Sequence, residues 1–234
     1  MADKKIAIVT AAGKGMGAAI ARELAANNYG VSLMSNSGGA ETVARELDGV
    51  GLTGSVTDPG DLGKLVDLTM ESYGRIDAVI NNTGHPPKGA LLDISDEEWH
   101  QGLDMVMLNV IRMARLVTPI MMEQGGGAIV NISTFAAFEP DAGFPVSSSL
   151  RAGLAGFTKL YADRYAPDGI RMNSILPGFI DSYPESAETR DRIPMQRYGR
   201  VGEIAKTALF LVSDGSDYIS GQNIRVDGGI TRSV

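Results

Sequence analysis

The sequence predicts a doubly wound α/β fold: a single domain over residues 1–234, built on a seven-stranded parallel sheet with helices on both faces. Three observations lead there. Short β-rich runs alternate with helix-length segments along the chain, and the first run leads straight into a glycine-rich turn and a helix. A chain of 234 residues with 44% hydrophobic content also suits one domain with a sizeable core better than two small ones.

The β-rich runs cover residues 6–10, 31–35, 51–56, 78–81, 128–133, 171–176 and 223–226. Helices fit residues 15–28, 59–73, a long run 96–123, then 144–165 and 202–213. Asp58 before Pro59, and Ser95 before Asp96, Glu97 and Glu98, read as helix starts, with a capping side chain ahead of proline or early acids. The segment 178–198, rich in proline, serine and charge, reads as a mobile loop above the carboxyl ends of the strands, where such folds bind ligands.

A formal net charge of −7 with no long Lys/Arg run argues against nucleic acid or an anionic membrane as partner. No run approaches 18 apolar residues, and Met1 to Lys5 lead into a strand pattern rather than a leader sequence, so a soluble cytoplasmic protein is expected. Without cysteine there are no disulfides, thiol nucleophiles or thiolate metal sites. His85 and His100 alone are too few for an ordinary zinc site, so no metal is expected.

Gly13, Gly15 and Gly17 permit a tight turn and close backbone approach to a pyrophosphate, whose charge the following helix N-terminus favours. The spacing from Thr10 to Gly15 and Gly17 is followed by Asn81-Asn82-Thr83-Gly84. Ile129 to Thr134, Pro177-Gly178-Phe179-Ile180 and Val226-Asp227-Gly228-Gly229 then follow in turn. In this order, across nearly the whole chain, these landmarks resemble the short-chain dehydrogenase/reductase family, a Rossmann-type fold.

By that resemblance the cofactor would lie on Thr10, Ala12, Lys14, Gly15, Met16 and Gly17. Ser35 and Asn36 would face its 2′ position, Ser55 and Val56 its adenine, and Asn82, Thr83 and Gly84 its ribose and nicotinamide. Pro177, Gly178, Ile180 and Ser182 would line the carboxamide side, and Arg151 the ribose. Ala11 takes the place of the family's first glycine. The second strand ends Met34-Ser35-Asn36-Ser37 with no acid to bind a 2′-hydroxyl, and Lys14 stands where NADP-preferring relatives place a basic residue. NADP(H) is therefore favoured over NAD(H).

The family's catalytic tetrad is Asn, Ser, Tyr and Lys. Here the Asn position falls on Val106, with Asn109 one turn later, and the Ser position on Thr134. The Tyr-x-x-x-Lys segment aligns with Ser147 to Arg151, so Ser147 replaces the Tyr and Arg151 the Lys. An aliphatic hydroxyl is a far weaker acid than a phenol, and arginine stays protonated, so the family's proton route is lost. Positioned acid or base catalysis is worth roughly 10² to 10⁴ in rate. Tyr183, His85, Glu139 and Asp141 are the candidate substitutes within the loops, although each reads more strongly as something else: Tyr183 as lid packing, His85 as a loop residue beside Pro86-Pro87, and the two acids as solvated charges. The guanidinium keeps the capacity to donate two parallel bonds to ribose hydroxyls or to a substrate carboxylate.

Three readings follow. The first is an atypical NADP(H)-dependent oxidoreductase acting on a small carbonyl, imine or enone. The second is a redox-neutral enzyme like the halohydrin dehalogenases, and the third a non-catalytic NADP sensor. The resemblance implies a homodimer or homotetramer. The apolar positions Leu103, Met107, Val110, Leu154, Phe157 and Leu160 fit either that packing or core burial.

Overall fold

The computed structural model describes residues 4–233; Met1 to Asp3, part of the opening read above, lie outside the described residues. All seven expected strands form: β1 (Lys5–Thr10), β2 (Tyr29–Ser35), β3 (Val50–Thr53), β4 (Ala78–Asn81), β5 (Gly127–Ile132), β6 (Ile170–Pro177) and β7 (Asn223–Val226). They make one parallel sheet in the order β3-β2-β1-β4-β5-β6-β7. Parallel strands need crossovers that cover both faces, so successive side chains must both be apolar. In β1, Ala7 and Val9 join one buried cluster while Ile8 joins the other.

On the Ala7 face lie α1 (Gly15–Ala26), α2 (Gly39–Glu46) and α8 (Val201–Val212), through Ile20, Leu24, Val43, Ile204 and Leu211. On the Ile8 face lie α3 (Pro59–Tyr73), α5 (Asn109–Glu123) and α6 (Pro145–Tyr165), through Leu65, Met113, Val117, Met121 and Tyr161. The expected starts hold: Asp58 Oδ1 accepts the Asp61 N–H at 3.0 Å, and Ser95 and Glu98 close a capping box on α4 (Asp96–Leu103).

Four expectations need correction. Strand β3 ends at Thr53, because the Gly54 N–H donates to Ser35 O at 2.9 Å and the chain then turns, leaving Ser55 and Val56 beyond the strand. Helix α2 was not expected: Ser37-Gly38-Gly39 signals a turn, and eight residues are too few to show a period. The long helix is not uniform, since a π-helical turn at Asp104–Leu108 joins α4 to α5. The 178–198 segment is no free loop. It contains α7 (Ala187–Arg192), and its Ile180, Ile193 and Tyr198 are buried.

The combined run Asp96–Glu123 is long and apolar enough to cross a membrane by length and composition. Its apolar positions Val106, Val110, Met113, Val117 and Met121 are buried within this domain, which marks a core helix. Leu154 is buried as well, whereas Leu160 is 71% exposed, so the apolar pattern on α6 serves both core and surface.

At the sheet's midpoint the chain order reverses between β1 and β4, and there the strand ends are tied by side chains. Thr10 Oγ1 donates to Asn82 O at 2.7 Å and accepts the Asn82 N–H at 2.9 Å. From β4 a buried polar chain runs onward: Asn81 Nδ2 to Asn131 Oδ1 at 3.0 Å, Asn131 Nδ2 to Thr158 Oγ1 at 3.2 Å, and Thr158 to Ser174 at 3.1 Å. Buried amides of this kind are costly to leave unpaired. Asn131→Ala strands the Asn81 amide, removes one of the two bonds on Thr158 and opens a void, so it should lower stability by roughly 2–4 kcal/mol. The expected reading is a reduced urea midpoint at unchanged slope.

Candidate active site

The glycine turn forms as its residue types require. Gly15 takes φ +57°, and a Cβ on Gly17 would lie 2.3 Å from Ala11 O and 2.8 Å from Asn82 Nδ2. Ala11 itself sits at φ +47°. Its departure from glycine is therefore a matter of handedness rather than size, at a cost of roughly 1 kcal/mol. Asn82 Nδ2 donates to Ala11 O at 3.2 Å, which binds the turn to the end of β4. No side chain caps the N-terminus of α1, so its N–H groups are open to an anion. Thr10 and Ala12 are buried beneath the turn, Met16 packs on the core, and Lys14 is exposed.

At the end of β2, the Ser35 hydroxyl is already engaged. It accepts the Ala40 N–H at 3.0 Å and donates to Ser37 O at 2.5 Å, closing the start of α2. Asn36, Ser37 and Lys14 are exposed polar residues at this rim. Glu41, in the first turn of α2, turns its carboxylate onto the Thr53 N–H at 3.0 Å. Ser55 shares a bond with Thr57 at 2.8 Å, and Val56 packs against the core. Thr83 Oγ1, just past β4, is buried without a partner, and Gly84 beside it is exposed.

The loop after β6 arches back toward the turn. Gly178 approaches the Asp227 backbone so closely that a Cβ would lie 2.8 Å from its Cα. Pro177 and Ile180 are buried, and a Cβ on Gly15 would lie 3.6 Å from the Ser182 side chain.

Thr134 follows β5, half-buried, with its Oγ1 accepting the Ala136 N–H at 3.4 Å. Ser147 is half-buried in the first turn of α6. One turn on, Arg151 is only 6% exposed. Its Nη1 donates to Ile132 O, its Nε has no partner, and no carboxylate pairs with it among the described residues. Burial lowers its pKa to about 10, which leaves it protonated at neutral pH. Val106 is buried in the π-helical turn; Asn109 donates to Met105 O at 2.7 Å, and its Oδ1 is unpartnered.

Of the four substitute proton carriers, two meet. The His85 and Tyr183 rings contact edge to face at 4.7 Å, bridging the loops after β4 and β6. Burial holds His85 below its usual pKa, and the charges of Lys88 and Arg151 depress it further. The acids face elsewhere: Glu139 accepts the Arg232 N–H at 2.6 Å, and Asp141 takes the Gly143 N–H and Arg192. These acids and cations line a cavity of about 420 Å³ with Phe135 and Ile230. Sequence reasoning missed Lys88, whose Nζ lies 4.7 Å from the Phe144 ring centroid. A lone lysine in a loop carries no signal of that placement.

Residues 10–231 match the family model described as enoyl-(acyl carrier protein) reductase. The 3-oxoacyl-[acyl-carrier-protein] reductase FabG of Buchnera aphidicola (subsp. Baizongia pistaciae) is 34% identical over 238 residues, covering 97% of each chain. FabG of Escherichia coli K12 is 33% identical over 236 residues, again covering 97% of each. The crystal structure of YwfH, described as an NADPH dependent reductase involved in bacilysin biosynthesis, superposes with TM-score 0.92 at 27% identity, covering 99% of this chain and 100% of that one. The chain belongs to the short-chain dehydrogenase/reductase family. At the coarse level, it is a nicotinamide-dependent oxidoreductase.

In this short-chain dehydrogenase/reductase the segment after β6 is pinned at its far end by charge. Arg197 reaches Glu203 at 2.9 and 2.6 Å, and the Arg200 N–H donates to the same carboxylate at 2.7 Å. The Arg197 bonds, then the Arg200 amide, hold the Glu203 carboxyl down at about 2, against an ordinary value of 4.5. A depressed acid contributes stability in full above its unfolded pKa and loses it as pH falls toward the folded one. The 178–199 segment should therefore become progressively cleavable by pepsin between about pH 4.5 and pH 2. Glu203→Gln should be more easily cleaved at the top of that interval and show less pH dependence across it.

Proposed function

We propose that this chain is an NADP(H)-dependent reductase whose hydride acceptor needs no phenolic proton donor, such as a conjugated enone or an iminium. The observation that carries this reading is Arg151, a buried guanidinium with a free Nε and no ion pair among the described residues, on the helix that borders the crevice.

The residues present fit a dinucleotide. Buried donors without partners, Thr83 Oγ1 and Arg151 Nε, suit sugar hydroxyls, and the uncapped N-terminus of α1 behind Gly15 and Gly17 suits a pyrophosphate. Lys14 and Asn36, with no acid in the residues that end β2, favour a 2′-phosphate, and the YwfH relative is described as NADPH dependent. When bound, the nicotinamide supplies the hydride. Asn82 and Thr83 shape the floor at the switch point, and Ile180 and Ser182 close over it from the loop after β6. Arg151 grips ribose and remains charged below about pH 10, so it holds the cofactor without shuttling a proton. The Thr134 hydroxyl accepts only a long bond and keeps its hydrogen for the acceptor's oxygen. Ser147 lacks a phenol's acidity, so the final proton comes from water, which an enolate or a neutral amine product tolerates.

The same reading makes the protein a cytoplasmic enzyme of small molecules. Its exposed Leu160 on α6 and Met122 on α5 would lie between copies in a homodimer or homotetramer.

Calorimetric titration should show NADPH binding at least tenfold tighter than NADH, a difference of about 1.4 kcal/mol. NADPH oxidation should then appear with enones or imines and be far slower with simple ketones. Binding of neither nucleotide would favour the redox-neutral reading; binding without turnover on any acceptor would favour the sensor. Arg151→Met should weaken NADPH at least tenfold while raising the urea stability of the nucleotide-free protein by about 1–3 kcal/mol, because an uncompensated buried charge is replaced by an apolar side chain of similar length. A fall in that stability would show the guanidinium to be structural.

A further inference from the structure

We propose that the N-terminal end of α6 is an anion subsite, and that the substrate carries a carboxylate seated beside Ser147 and held by Lys88. The proposal rests on the reductase reading and names its substrate class. Three positive features converge there. Helix α6 runs for 21 residues from Pro145, and no side chain caps it, so its open end carries the positive pole of a long helix. The Lys88 ammonium stands 4.7 Å from the ring centroid of Phe144, the residue that precedes the helix. Arg151 lies one turn into α6, nine-tenths buried, with its Nε unpartnered.

One carboxylate, that of Asp141, stands near this end, the Asp141 N–H donating to Ser148 Oγ at 3.4 Å, and Arg192 balances its charge. Among the described residues neither Lys88 nor Arg151 forms an ion pair. The two carboxylates nearest in sequence, Glu139 and Asp141, are taken by the Arg232 amide and by Arg192 with the Gly143 amide. His85, in the same loop as Lys88, feels both cations. On a chain of net charge −7, a local excess of positive charge at the mouth of a crevice is a specific feature rather than a general bias.

Ser147 makes room for the ligand. A serine in the first turn of α6 occupies less volume than a phenol at that position would, and the residue is half-buried there. A carboxylate in that space could accept from Ser147 Oγ and Lys88 Nζ, while the Arg151 charge acts from one turn further along. Loss of the family's proton donor and gain of an anion handle then follow from one substitution.

The test uses the full chain saturated with NADP⁺, titrated by calorimetry with 2-hexenoate and, separately, with its neutral amide. The acid should bind about tenfold or more tighter than the amide, and raising salt from about 0.05 M to about 0.5 M should weaken the acid alone. Lys88→Gln should remove most of that preference at unchanged NADP⁺ affinity, and Lys88→Arg should restore it. Equal binding of acid and amide, or an undiminished preference in Lys88→Gln, would overturn the subsite. If NADP⁺ itself does not bind, the reductase reading fails, and the same titration on nucleotide-free protein judges the subsite alone: acid preference lost in Lys88→Gln upholds it, and equal binding removes it.

Discussion

The junction of Thr10 with Asn82 is the interaction on which the site depends. A parallel sheet that reverses its strand order must open a crevice where the chains diverge, and its width is set by how firmly the two diverging ends are held. Here one buried hydroxyl both donates to and accepts from the Asn82 backbone, and the Asn82 side chain then reaches Ala11 O inside the glycine turn. The turn, the end of β4 and the start of α1 thus behave as one unit. The Asn81, Asn131, Thr158 and Ser174 chain extends that unit across β5 to β6, beneath α6.

Above this rigid floor the walls are held more lightly. The segment after β6 is anchored by Ile193 and Tyr198 in a small core with Phe135 and Ile230, and by the Arg197–Glu203 pair, while residues 181–188, ahead of those anchors, are exposed. The His85–Tyr183 edge contact is the side-chain clasp between opposite walls. An aromatic edge contact of this kind is worth about 0.5–1.5 kcal/mol.

Much of the fold was legible because its signals are local. Val9, Thr10 and the glycines that follow announce a strand, a turn and a helix within a dozen residues, and Asp58 and Ser95 announce caps within four. Helix α2 was hidden because its stability is tertiary: Gly13 and Gly39 touch backbone to backbone, and Ser35 supplies the bond to Ala40 that a local cap would otherwise provide. The π-helical turn at Asp104–Leu108 was invisible because one displaced hydrogen bond leaves no mark on apolar spacing. In the candidate site, the motif order suggests Thr134, Ser147 and Arg151. The absence of an ion pair on Arg151 among the described residues, and the approach of Lys88 to Phe144, exist only through space.

On the proposed reading, in which Ser147 and Arg151 stand at the family's Tyr and Lys positions, the two changes are coherent when the residues are weighed together. A lysine beside a phenol serves two purposes, holding ribose and tuning an acid, and only the first needs a permanent charge. Arginine keeps that charge under desolvation that would strip a buried lysine of its proton, and its planar fork still reaches paired hydroxyls. Once the phenol is gone the tuning role is vacant, so nothing opposes a change to the more durable cation. What remains is a buried positive charge under an open helix end, with Ile132 O as its one hydrogen-bond acceptor among the described residues. A chain that maintains such a charge without a counter-ion sacrifices stability at that point, and ligands that bring oxygen acceptors or negative charge recover it.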